Sequence, residues 1–123
     1  MLTLLLRMRD DFEDVDAFAV EALQKGLLML LAYESERNRH RHWVLGVGIS
    51  GFETGESFAA DTLLVLCPSS DPVPLAGHNG RLYSEQPIML TKGATPISWQ
   101  FESMPYCCEP VRLMSAISLQ LVV

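Results

Sequence analysis

The chain has 123 residues, 49% of them hydrophobic, with a formal net charge of −6 and a pI near 4.9. That length predicts one domain, residues 1–123, able to bury a core without staples. The acidic balance argues against phosphate-backbone binding by the whole surface, hence against a nucleic-acid partner, and favours neutral or basic partners. Cys67, Cys107 and Cys108 are odd in number and include an adjacent pair, which argues for free thiols and a reducing compartment rather than a disulfide framework.

Residues 2–8, rich in leucine and followed by Asp10 and Asp11, predict a short strand. Their apolar run is too short for a signal segment, and Arg7 and Arg9 lie on the wrong side of it. The longest other uncharged apolar stretch, residues 26–33, falls well short of the ~18 residues a membrane span needs. The expectation is a soluble cytoplasmic protein with no membrane partner.

The spacing then predicts a long helix from about Asp11 to about Glu36. Asp10 and Glu13 have the spacing of a capping box, and Asp11, Asp14 and Asp16 add the negative charge a helix N-terminus favours. Phe12, Val15, Ala19, Ala22, Gly26, Leu30 and Tyr33 form an apolar stripe, and Arg37, Arg39 and Arg41 complement the far pole. The solvent face of Asp14, Glu21 and Lys25 continues into Leu28 and Ala32, within a stretch, residues 27–32, that is apolar all round and includes Leu31. Such a surface is covered by another part of the chain or by a second molecule, so Leu28, Leu31 and Ala32 are predicted as an interaction surface, together with Arg37, Arg39 and Arg41.

Residues 42–50 and 58–67 read as strands joined by a turn at Gly51, Gly55 and Glu56, and residues 68–80 as the longest loop. Strands follow at 82–91 and 97–102, the second alternating Ile97, Trp99 and Phe101 with polar residues. After a loop at 103–110 comes a closing strand, 111–123. There Val111, Leu113, Ile117, Leu119, Leu121 and Val123 make an apolar face of period two. The order β-α-β-β-β-β-β predicts an α+β fold, one long N-terminal helix packed on an antiparallel sheet of about five or six strands. Cystatin-like and other helix-on-sheet folds are compatible with this order, an analogy of topology that carries no function. The predicted core joins Ile97, Trp99, Phe101, Leu113, Ile117, Leu119 and Leu121 to Val15, Ala19, Ala22, Gly26 and Leu30.

Motifs add little. Gly46-Val47-Gly48-Ile49-Ser50-Gly51 matches a dinucleotide fingerprint, but Glu53 and Glu56 put negative charge where a pyrophosphate would sit, and strand glycines beside large neighbours explain it better. Residues 51–57 fail as a phosphate loop for want of lysine. His40 and His42, with His78 or a cysteine, have suggestive spacing for a metal, yet Arg39 and Arg41 oppose a cation there. Residues 37–43, three arginines beside Trp43, could hold a phosphate or stack a base, but read better as a basic helix terminus. Cys107 or Cys108 would want His78 as a base, and Glu109 works against a thiolate. No catalytic, cofactor or metal residue is therefore assigned. The leading expectation is a non-enzymatic protein–protein interaction module, an adaptor, structural or immunity-type protein of bacterial or viral origin. It would dock a protein partner or a second copy through acidic surface and the apolar second half of the helix. The alternative is a small-ligand pocket or minor enzyme between helix and sheet, lined by Trp99, Phe101, Met89 and Tyr83, with His78 or Cys107 as the polar group.

Overall fold

The computed structural model describes residues 3–10, 15–54, 57–69, 77–88, 98–103 and 107–122. Strands β1 (Thr3–Arg9), β2 (Leu28–Ser35), β3 (Arg41–Thr54), β4 (Ser57–Leu66), β5 (Gly80–Ile88), β6 (Trp99–Ser103) and β7 (Cys107–Val122) form one antiparallel sheet, and among the described residues one helix, α1 (Val15–Gln24), lies between β1 and β2. The sheet order is β1-β7-β2-β3-β4-β5-β6, and β6 pairs back onto β7. Six strands thus close into a barrel, and β1 is an additional strand outside it. The expected α+β fold, a long helix on an open sheet, is overturned.

Gly26 is the physical reason the helix stops. It adopts a left-handed conformation, φ 81°, with its N–H donating to the Leu23 carbonyl and the Leu27 N–H donating to the Ala22 carbonyl. That pair of bonds is a Schellman cap, which glycine accepts without a Cβ penalty. Gly26 is therefore the helix terminator, not a member of its apolar stripe. The helix retains Val15, Ala19, Val20, Ala22 and Leu23 as its buried face, in keeping with the predicted role of Val15, Ala19 and Ala22. Of the expected N-terminal capping box, Asp10 follows β1 outside any helix and Glu13 lies outside the described residues.

Past the cap, the leucine-rich run becomes strand β2, which lies inside the sheet between β7 and β3. Its period is two: Met29, Leu31, Tyr33 and Ser35 point into the barrel and are buried, while Leu28 and Leu30 point outward. Leu30 is consequently not a core residue. Arg37 and Arg39 sit on the turn between β2 and β3, and Arg41 begins β3 opposite Glu34, so none of them caps a helix.

Strand β7 is the pivot of the barrel. Residues 107–111 pair with β6, while residues 116–122 pair along the same edge with β1; its other edge carries β2. Cys107–Pro110, expected in a loop, are thus strand. The pairing with β2 slips where Ala32 faces Ser115 and Tyr33 faces Leu113, leaving Met114 as an extra residue. Such a bulge reverses the side-chain alternation. Val111 and Leu113 point inward, but beyond the bulge the inward residues are Ala116 and Ser118. Ile117 and Leu119 are only half-buried and Leu121 is 68% exposed, which corrects their expected place in the core.

The helix packs against β2, β3, β4, β5 and β7 and so plugs the barrel. Gly46 makes this approach possible: a Cβ there would lie 3.2 Å from Met29 Cγ, 3.3 Å from Leu31 Cδ1 and 3.4 Å from Leu23 Cδ2. The glycine run containing it lies within β3, with register shifts between Gly46 and Gly48 and between Ser50 and Gly51, and the next described element is strand β4 rather than a helix. Trp99, fully buried on β6, donates its indole N–H to Asp16 Oδ1 at 2.8 Å, tying the first turn of the helix to the barrel wall. Asn79 joins the ends of the loop between β4 and β5, its amide accepting from Cys67 N–H at 2.7 Å and donating to Cys67 O at 2.9 Å. Ile97 lies outside the described residues.

Candidate protein interaction face

The outward side of β1, β7 and β2 is apolar along whole cross-strand rungs. Leu4 faces Leu121; Leu6 faces Leu119, which faces Leu28; and Met8 faces Ile117, which faces Leu30. Directly paired residues on neighbouring strands share one face of the sheet. The last rung continues through Leu45 on β3 to Leu66 on β4. Leu4, Leu6, Met8, Leu28, Leu30, Leu66 and Leu121 are all substantially exposed, and Trp43, two residues before Leu45 on β3, extends the surface. No charged side chain interrupts the rungs. The exposed members leave on the order of 600 Å² of apolar surface, at the upper end of the roughly 300–600 Å² that the largest patch on a monomer reaches.

The bulge in β7 creates this face. Without the extra residue Met114, Ile117, Leu119 and Leu121 would point inward with Leu113; with it they join the outward leucines of β1 and β2. The far side of the barrel is different, since outward positions of β5 and β6 carry Arg81 and Glu102, an ion pair between neighbouring strands. Among the described residues the apolar surface is therefore interrupted by charge on β5 and β6, whereas the rungs of β1, β7 and β2 are not.

Of the residues predicted to interact, Leu28 lies in the middle of this face, 46% exposed. Leu31 is fully buried inside the barrel, and Ala32, on the outward parity, is buried where it pairs with Trp43 and Ser115. Arg37, Arg39 and Arg41 are exposed at the β2–β3 turn, away from the leucine rungs, where the Arg39 guanidinium lies 3.9 Å from Glu34. The structure does not bring the six residues together as one surface. Leu4, Leu6, Met8 and Leu121 belong to this apolar face and lie outside the predicted set, although the end of β1 carried a signal: Leu6 and Met8 alternate with Arg7 and Arg9.

The other candidate groups are dispersed. His40 lies at the β2–β3 turn, and His42 packs against the Tyr33 ring at 5.5 Å between centroids. Among the described residues no group of three or more histidine, cysteine or acidic side chains could hold a metal. Cys67 is a buried free thiol and Cys108 an exposed one 3.7 Å from Gln100 Oε1, while the Cys107 side chain and Met89 lie outside the described set. Trp99 and Phe101 are core residues, the latter stacked at 4.9 Å on Tyr33, whereas Tyr83 is at the surface. Among the described residues no helix is long and apolar enough to cross a membrane. No family model, curated protein or solved structure matches this chain.

Proposed function

We propose that this protein is a protein–protein interaction module whose docking surface is the outward face of β1, β7 and β2, and whose occupant is a second copy of the same chain. The observation that carries this reading is the set of uninterrupted apolar rungs running from Leu4, Leu6 and Met8 across β7 to Leu28 and Leu30. With Trp43 and Leu66 at its rim, the face approaches the ≈ 800 Å² per partner of a standard interface. Being uncharged along the rungs, it can meet itself about a two-fold axis without opposing like charges, which is the commonest arrangement of homo-oligomers. The net charge of −6 on each copy acts from elsewhere on the surface, so added salt screens the repulsion and tightens association.

Light scattering during gel filtration tests the reading. The wild type is expected to be a dimer. Leu28→Glu places a carboxylate in the centre of the interface, which costs about 3–5 kcal/mol, a hundredfold to several-thousandfold loss of affinity. Circular dichroism of the same sample should be unchanged, since Leu28 faces outward. A wild type that remains monomeric at high protein concentration and high salt refutes self-association, and the face then belongs to a different apolar partner.

A further inference from the structure

We propose that the groove between β1 and α1 is a binding site for a small amphiphilic anion, a carboxylate or phosphate head carrying a short apolar tail. The groove is a feature of the inward side of β1 and does not depend on the apolar face outside it. Its volume is about 350 Å³, within the ≈ 300–1,000 Å³ of small-ligand sites. Two kinds of surface meet there. Leu5, Phe18, Ala22 and Leu27 give an apolar lining, and Arg7, Arg9 and Lys25 bring three of the nine basic residues of an acidic chain to one cleft.

Among the described residues lining the groove, the three cations face a single carboxylate, Glu21, which is held by Lys25 at 2.9 Å. Arg9 is anchored, with its guanidinium 5.0 Å from the Phe18 ring centroid and Nη1 donating to the Met8 carbonyl at 2.9 Å. Among the described residues Arg7 forms no ion pair with a carboxylate, and it projects from the same side of the strand as Arg9. Two like charges two residues apart on one strand face repel, and an anion lying between them relieves that repulsion. Cross-strand pairing sets Ser118 opposite Arg7 and Gln120 opposite Leu5, so a hydroxyl and an amide flank the guanidinium. A planar guanidinium with neighbouring neutral donors is suited to bidentate capture of a carboxylate or phosphate. The tail then lies along Phe18 and Ala22 of the helix and Leu27 just past its cap.

Sodium octanoate is the probe, titrated into the full chain with amide resonances followed by NMR, alongside inorganic phosphate and 1-octanol. Octanoate is expected to bind saturably and to move the Arg7 and Ser118 amides. Arg7→Gln should weaken it about tenfold to a hundredfold, as loss of a charge-assisted hydrogen bond does. Arg7→Lys should retain part of the affinity, and Arg9→Gln provides a second charge-removing variant should Arg7→Gln misfold. Leu28→Glu should leave binding unchanged, which separates this site from the outer face, and salt should weaken it, opposite to its effect on self-association. Octanol binding as tightly as octanoate, or indifference to both glutamine variants, overturns recognition of the anion. Phosphate binding as tightly as octanoate overturns the part assigned to the apolar lining, and shifts confined to Leu28 and Leu121 overturn the location.

Discussion

Truncating three leucines of β7 tests whether its alternation reverses at Met114. An uninterrupted strand would bury Leu113, Leu119 and Leu121 alike, and each change to alanine would then cost about 2–5 kcal/mol, the transfer of the lost methyls plus the cavity left behind. In the bulged strand Leu113 is 1% exposed and should cost that full amount. Leu121 is 68% exposed, so only about a third of its area leaves water on folding. At about 1.5–3 kcal/mol for complete burial, Leu121→Ala should cost roughly 0.5–1 kcal/mol. Leu119, half-buried between Leu6 and Leu28, should fall between them. The measurements belong in a Leu28→Glu background, because association would cover Leu121 and raise its apparent contribution. Urea unfolding followed by fluorescence gives the three midpoints, with an unchanged m-value required for comparison. Losses at Leu121 as large as those at Leu113, both above about 2 kcal/mol, would mean that the alternation continues through Met114 and that the outer apolar face does not exist as described.

Two further outcomes concern the helix that plugs the barrel. The bond from the Trp99 indole to Asp16 predicts a coupling of about 1.5–3 kcal/mol in a double-mutant cycle of Trp99→Phe and Asp16→Ala, read from denaturant unfolding; a coupling near zero would show that the helix is not held to β6 through this pair. Gly46→Val should destabilise by about 1–3 kcal/mol through overpacking against Met29, Leu31 and Leu23. Gly48→Ala, whose new Cβ meets Leu64 at ordinary contact distance, should be much milder in the same assay, and equal losses would refute the close seat of the helix over β3.

Much of the local structure is legible in the residues themselves. Trp99 and Phe101 alternate with polar neighbours and are buried, Val15, Ala19 and Ala22 recur at helical spacing and face the core, and β3 and β4 pair as the two predicted strands, with Gly51 inside β3 rather than in the turn. These elements were readable because each carries a period set by its own backbone geometry. Leu28–Ser35 carries a weaker signal, since leucine, methionine and alanine favour a helix and the residues on both parities are apolar. Gly26 in its left-handed cap ends the helix, and hydrogen bonding to β7 and β3 on both edges then makes β2 a strand. Propensity differences of a few tenths of a kcal/mol per residue yield to that pairing and to the burial of Met29, Leu31 and Tyr33. The same distinction governs the candidate site. An exposed apolar surface containing Leu28 follows from composition and polarity, but its membership depends on register: the single extra residue at Met114 carries Ile117, Leu119 and Leu121 outward and places them beside Leu4, Leu6 and Met8, over a hundred residues away in the chain. Local sequence specifies the parity of each strand, whereas closure of the barrel decides which parities share a face, because pairing between distant segments selects the register.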